Sequence, residues 1–336
     1  MKVAVIGAGR IGRVHIENIC SAVHEMEIKT VADPYFNTDG EAFVRSFGIQ
    51  NLTKDMDSVF ADPEIEAVLI CSSTDTHADL IVKAAKAGKH IFCEKPVDHD
   101  VNRVRMALAA VKEAGVKMQI GFVRRFDHNH RAVYDAVRGG KIGTPHILRI
   151  SSRDPQPPSI EYVRRSGGIF YDMMIHDFDM IRFLAGCEVT EVYAKGAVLV
   201  DPAIGAEGDV DTALVTLTFE NGAIGIIDNS RQAVYGYDQR LEVFGSEGAV
   251  QDENDIPNTV IVSRADGTSY GTAYQVMWDR YTQAFIDEMK AFADAVMNDK
   301  TPPITDLDGL YPVLIAAAAN KSIRESRPVK ISEVEQ

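Results

Sequence analysis

Positive charge is scarce in this chain. Across 336 residues, 35 Lys and Arg face 49 Asp and Glu, for a formal net charge of −14. Nucleic acids and anionic membrane surfaces are bound through basic footprints, so neither is expected as a partner. Cysteine is scarce as well. Cys20, Cys71, Cys93 and Cys187 are scattered, and no two form a C-x-x-C pair, so the spacing carries no zinc or redox motif. Two of them sit in the apolar runs AVLICSS and HIFCEKP, where buried reduced thiols and a cytoplasmic setting are expected. Long hydrophobic runs are missing: none approaches the roughly 18 residues that a membrane-spanning helix needs. The opening MKVAVIGAG meets its glycines too early for a signal-peptide core and reads as a strand. Internal repeats, low-complexity tracts and disordered linkers are also lacking.

The remaining composition is that of an ordinary globular protein, 46% hydrophobic and 25% charged. The length is right for about two domains. In the first third, short apolar runs alternate with helical periodicity. KVAVIGAG, EIKTVADP, AVLICSS, HIFCEKP and KMQIGF read as five strands. RIGRVHIENICSAV, EAFVRSFG, HADLIVKAAKAGK and VNRVRMALAAVKEAG read as the helices between them. Alternation of this kind predicts right-handed βαβ units and a parallel sheet covered on both faces.

GAGRIG ends the first strand and opens a helix, the context in which G-x-G-x-x-G signals a dinucleotide. Gly7 permits the tight turn, Gly9 lets the backbone approach a pyrophosphate, and Gly12 allows close helix–strand packing. Ala8, Arg10 and Ile11 complete the turn, and the phosphates are expected at the helix N-terminus, whose free N–H groups and dipole favour anions. The bland alternative is a structural glycine turn. Asp33 ends the second strand, about 20 residues further on, where an acidic residue bonds the adenosine ribose. A carboxylate there repels a 2′-phosphate, so NAD is expected over NADP, although Arg10 and Arg13 lie near enough to offset this. Asp33 also reads as a turn residue before Pro34.

CEKP places Glu94, Lys95 and Pro96 at the end of the fourth strand. Ligands of open α/β sheets bind beyond the carboxyl ends of the strands, so Lys95 is expected to face the cofactor and to hydrogen-bond a substrate hydroxyl. From position alone, a surface lysine paired with Glu94 is the alternative. A cis bond before Pro96 is compatible with the sequence.

GGIFYDMMIHDFDM, residues 167–180, buries polar residues in an apolar run. Asp172 and His176 lie four residues apart and so on one face of a helix, with Asp179 continuing the stripe and Asp177 pointing elsewhere. Gly167 and Gly168 read as a flexible entry. A polar stripe on an otherwise apolar helix must face partners or a cleft. Oxidising a secondary alcohol requires a hydride acceptor and a base. His176 suits the base, with Asp172 to orient it or to hold a neighbouring hydroxyl. A metal held by Asp172, His176 and Asp179 is a rival, but no further His/Cys cluster completes such a site, and no metal is expected. A buried network that only holds the core is the bland reading.

Beyond Phe122 the pattern changes to PHILRISSRD, VTEVYAKGAVL, DTALVTLTFENGAIGIIDNSR, QRLEVFGSEGAV and NTVIVSR, joined by turns such as ENG and SEG. These predict an open, mainly antiparallel sheet with helices on one face. DRYTQAFIDEMKAFADAVMND and GLYPVLIAAAANKSIRES are helical. GFVRRFDHNH brings Arg124, Arg125 and Asp127 to a strand end, with a solvated loop as the alternative. Arg153 and Asp154 in SSRDPQPP, with Tyr237 in YGYDQR, are candidates for holding a molecule rich in hydroxyls.

Taken together, GAGRIG, CEKP and YDMMIHDFD resemble the Gfo/Idh/MocA family of NAD(P)-dependent oxidoreductases over essentially the whole chain. The run SSRDPQPPSIEYVRRSGGIFYDMMIHDFDM is similar to the family's inositol 2-dehydrogenase branch. The resemblance implies a Rossmann domain over 1–121, a doubly wound parallel sheet, and an α+β substrate-binding and oligomerisation domain over 122–336. It implies NAD as cofactor, held by Gly7, Ala8, Gly9, Arg10, Ile11, Gly12, Asp33, Ser72, Ser73, Thr74, His77, Glu94, Lys95 and Arg124. It implies Lys95, Asp172 and His176 as the catalytic group. Arg125, Asp127, Arg153, Asp154 and Tyr237 join them around a cyclic polyol or sugar. The expected reaction is oxidation of one ring hydroxyl, with myo-inositol foremost and scyllo-inositol, another isomer or an aldose as alternatives. A homo-oligomer is expected, a tetramer or a dimer. Some proteins of this fold are non-catalytic NAD-responsive regulators, but those tend to lack the catalytic group.

Overall fold

A computed structural model describes residues 1–335. Among them the strands form three sheets, and the chain divides into two compact units, residues 1–123 with 283–313, and residues 124–282 with those from 314 onward.

The first unit is built on six parallel strands: β1 Lys2–Ile6, β2 Glu27–Ala32, β3 Asn51–Thr53, β4 Ala67–Ile70, β5 His90–Glu94 and β6 Met118–Gly121. Their order is β3-β2-β1-β4-β5-β6, every neighbouring pair parallel. β1, β4 and β5 carry almost unbroken apolar runs because helices cover both faces. The direction of winding reverses between β1 and β4, and ligands of such sheets bind at that switch point. The sequence reading has five of these strands. β3 is a three-residue edge strand that is not fully buried anywhere, too short and too polar for periodicity to reveal.

The core on one face joins Val3, Val5, Ile16, Ile19, Leu69 and Phe92 to Met289, Phe292 and Ala293. Burying each large apolar side chain stabilises by about 1.5–3 kcal/mol. The last three residues belong to the helix Met277–Met297, far along the chain, so residues 283–313 pack with the first unit although continuity of sequence groups them with 122–336.

The second unit carries a seven-stranded sheet. Its strands are β7 Pro145–Arg153, β8 Val189–Ala197, β9 Thr212–Phe219, β10 Ile224–Ser230, β11 Asp238–Gly245, β12 Gly248–Asp252 and β15 Val329–Lys330. The order is β12-β11-β7-β10-β9-β8-β15. β7 and β10 are parallel and the other pairs antiparallel, a mixed and mainly antiparallel sheet as the alternating pattern predicts. Strand alternation gives it two faces. Leu148, Ile150, Ile227 and Leu217 are buried, whereas Ile224, Leu214 and Phe244 are about half exposed on the other side. A separate hairpin, β13 Ile261–Arg264 and β14 Gly267–Tyr270, is exposed throughout. Among the described residues no helix is long and apolar enough to cross a membrane.

Candidate active site

The glycine turn follows β1, and each glycine has a separate steric reason to be there. Gly7 has φ +99°, and a Cβ on it would lie 2.7 Å from the Cys71 backbone. On Gly12 a Cβ would lie 2.0 Å from the Gly7 carbonyl oxygen. Around Gly9 there is open space, with nothing within 4 Å of a Cβ position. Two glycines therefore close the turn, and the third leaves the backbone approachable. The helix Arg10–Ala22 that follows has Gly9 at its N-cap and no side chain on its first N–H groups. That combination fits a pyrophosphate. Asp33 lies at the end of β2, where Oδ2 accepts the Ala8 N–H at 2.7 Å and Oδ1 the Tyr35 N–H at 2.8 Å. It thus shapes the turn and also sits where a ribose carboxylate belongs. Arg13 is engaged by Asp39 at 2.7 Å, which offsets the positive charge that would favour a 2′-phosphate.

Beyond β4 and β5 lie the next candidates. Ser73 stands at the N-cap position of the helix Thr74–Lys86 without a side-chain capping bond, and Ser72 Oγ pairs with Thr76 Oγ1 at 2.6 Å. His77 is 1% exposed, its ring nitrogens 2.8 Å from the Pro96 carbonyl and 3.0 Å from the Ser72 carbonyl. It bridges the two loops from below. Lys95 is half-buried at the end of β5, and the Lys95–Pro96 peptide is cis. Glu94 turns inward to His15, 2.7 Å away.

In the second unit, residues 167–180 are not one continuous helix. A short helix, Ile169–Asp172, is followed by a break and then by Ile175–Ala185. Gly167 and Gly168 have φ +81° and +84°, conformations that glycine adopts without the cost a side chain would bring. A Cβ on Gly168 would lie 2.8 Å from Asp209 Oδ1, the atom that accepts the Ile169 N–H at 3.0 Å. Asp172 and His176 are both half-buried. Asp179 does not share their surroundings: it forms a buried two-pronged pair with Arg125, at 2.8 and 2.5 Å, which also lies over the Phe183 ring. Asp177 is likewise buried, held by Arg124 and by Asn229. Each of Asp177 and Asp179 thus has a cation inside the unit.

Arg231, which the sequence does not single out, ties Asp172 in place. It is 1% exposed and donates to Asp172 Oδ2 at 3.1 Å and to Asp209 Oδ2 at 3.4 Å. Tyr162 donates to the other oxygen of Asp172 at 2.7 Å. Asp154 completes the group. Desolvation and the Asp172 carboxylate push its carboxyl up to about 6, against the opposing pull of Arg231 and Arg124. Two acids, one guanidinium and a phenol in a partly dry setting can orient several hydroxyls at once.

Of the other sequence candidates, Tyr237 lies near Asp154 and Arg124. Arg153 points to the opposite face of the sheet from Ser152, as strand alternation requires, and pairs there with Asp228, Asp238 and Tyr235. Tyr237 is 3% exposed, edge-on to Tyr281. Asp127 caps the helix His128–Arg138 and lies with His130, Asp252 and Arg280 in a buried cluster. Asp127, His130 and Asp252 have metal-ligand spacing, but the Arg280 guanidinium lies 3.4 and 3.3 Å from the two carboxylates and takes the cation's place.

Residues 1–122 match the family model described as an oxidoreductase family with an NAD-binding Rossmann fold, and residues 130–251 match the GFO/IDH/MocA C-terminal domain. The myo-inositol 2-dehydrogenase of Thermotoga maritima is 45% identical, covering 99% of each chain. The inositol 2-dehydrogenase of Rhizobium meliloti is 43% identical, again with 99% of each chain covered. The crystal structure of a probable dehydrogenase from Thermotoga maritima superposes with a TM-score of 0.96 at 44% identity, over 99% of this chain and 100% of that one. With its glycine turn, its switch point and both family matches, the chain belongs to the GFO/IDH/MocA oxidoreductases and takes NAD as its cofactor.

Proposed function

We propose that the protein oxidises one ring hydroxyl of an inositol, with myo-inositol as substrate and 2-keto-myo-inositol as product. The observation that carries this reading is the half-buried Asp172 carboxylate, fixed by Arg231 and Tyr162 beside Asp154 and four residues from His176. The names borne by the relatives from Thermotoga maritima and Rhizobium meliloti supply the substrate class. When bound, NAD supplies the hydride acceptor. Gly7, Ala8, Gly9, Arg10, Ile11 and Gly12 would hold its pyrophosphate and Asp33 its ribose, with Ser72, Ser73 and Thr74 nearby.

In this reading Lys95 donates a hydrogen bond to the reacting hydroxyl oxygen and stabilises negative charge as it develops there. His176 takes the hydroxyl proton. Asp172 bonds a neighbouring hydroxyl and favours the imidazolium form of His176, and Asp154 holds a further hydroxyl. Arg231 keeps the two carboxylates from repelling each other. A positioned base contributes roughly 10²–10⁴ in rate. The reading extends to a cytoplasmic homo-oligomer, a tetramer or a dimer. Ile224, Leu214 and Phe244, about half exposed on the outer sheet face, support contact between copies.

The test is NAD reduction by the purified protein across myo-, scyllo- and chiro-inositol and glucose, repeated with NADP. The expected outcome is a highest kcat/KM with myo-inositol and NAD. A higher value with another isomer keeps the dehydrogenase and replaces the substrate. NAD binding without NADH from any polyol would make the protein a regulator instead.

A further inference from the structure

The first unit buries an acid that the reaction above does not use. Glu288, on the helix Met277–Met297, is 0% exposed, and neither carboxyl oxygen has a hydrogen-bond partner among the described residues. Its backbone is fixed, because Gln119 Nε2 on β6 donates to the Glu288 carbonyl at 3.0 Å. A buried ionised carboxylate without donors is strongly disfavoured, so the group is expected to keep its proton.

Its neighbour is Glu94, the residue before Lys95. The Glu94 carboxylate has a donor, His15 Nε2 at 2.7 Å, and His15 is held edge-on between the Phe92 and Phe285 rings. Glu94 also has a space made for it. Gly121 is its partner on β6, and a Cβ there would lie 3.0 Å from the Glu94 carboxyl carbon. Two carboxyl groups in one apolar enclosure do not both ionise. Here the asymmetry decides which keeps the proton: Glu94 has His15 and some solvent access, and Glu288 has neither. Burial and the Glu94 charge both push Glu288 upward. The other titratable groups around the pair are Cys71, after β4, and Cys93, on β5, whose thiols are raised by burial and by Glu94.

We infer that Glu288 is a positioning residue for Lys95: as a neutral acid it leaves the contact between Glu94 and His15 undisturbed, and so fixes the end of β5 from which Lys95 extends. The inference rests on the role given to Lys95 above. Ionisation of Glu288 at alkaline pH would set a second negative charge against Glu94, displace the Glu94–Lys95–Pro96 segment and lower turnover, while leaving the glycine turn to bind NAD.

The experiment compares wild type, Glu288→Gln and Lys95→Ala. It reads kcat against pH with NAD and myo-inositol, NAD affinity by calorimetry, and the infrared carbonyl band of a protonated carboxyl group during alkaline titration. Glutamine keeps the neutral shape and cannot ionise. The ratio of kcat in Glu288→Gln to kcat in wild type should therefore rise about ten-fold between roughly pH 7 and pH 10. NAD affinity should stay within about two-fold throughout, since the pyrophosphate contacts lie elsewhere. The infrared band should titrate away in wild type and be absent from Glu288→Gln. Superimposable kcat profiles, the same infrared spectrum in both proteins, or failure of the glutamine variant to fold each overturn the inference. Undiminished turnover in Lys95→Ala overturns the functional reading itself. A normal Lys95→Ala defect with superimposable wild-type and Glu288→Gln profiles overturns only the positioning role.

Discussion

Lys95 shows how one residue's neighbours decide its reading. From sequence alone, a lysine beside a glutamate is as well explained by a surface pair as by catalysis. In the structure the Glu94 carboxylate meets His15 inside the first unit, while Lys95 stands half-buried at the end of β5. Lys95→Ala is therefore expected to lower kcat by about 10²-fold or more, the scale of losing one donor to a developing oxyanion. NAD affinity should be retained, and calorimetry alongside steady-state kinetics checks both. A kcat within about two-fold of wild type would return Lys95 to the surface. Arg231 is the opposite case. Nothing near it in sequence marks it, because its partner Asp172 is 59 positions away. A guanidinium with 1% exposure is legible only once the fold closes. The only advance sign is the need of Asp172 for a cation, which residue pattern alone cannot assign to one arginine among many.

At the scale of elements, the Rossmann half was the most legible. Strand runs, glycine punctuation and the acidic residue after β2 are local signals, and each survives in the structure. β3 escaped because three residues, none of them buried, carry no period. The helix of residues 167–180 was legible as an element but not in its break, so a stripe containing Asp179 was expected where Asp179 in fact turns to Arg125. The cluster at the N-terminus of the helix His128–Arg138 is a further contact that no local pattern announces, since Arg280 joins Asp127 from 153 positions away. It has a measurable consequence. Burial pushes the His130 imidazole down to about 3, more than the Asp127 carboxylate raises it. The unfolded chain takes up that proton near the ordinary histidine value of about 6.5, so the stability that neutral His130 supports is present above that pH and is lost as pH falls toward 3. His130→Asn is expected to flatten the fall in urea midpoint between about pH 6.5 and pH 4 relative to wild type. Parallel curves for the two proteins would show that His130 does not carry it.

On the scale of the whole molecule, sequence continuity and compactness part company. Residues 283–313 follow the second sheet in the chain yet pack with the first unit, because Met289, Phe292 and Ala293 complete the core beneath β1 and β4. The same return brings Glu288 against Glu94. The account as a whole stands on a single chemical event, transfer of a hydride from a ring carbon of inositol to NAD. Myo-inositol carrying deuterium at the carbon of the reacting hydroxyl tests it directly. Incubated with the protein and NAD, it should yield NADH that carries the deuterium, recovered by mass spectrometry together with 2-keto-myo-inositol. NADH without the label, or no NADH from any inositol by a protein that binds NAD, would contradict the account.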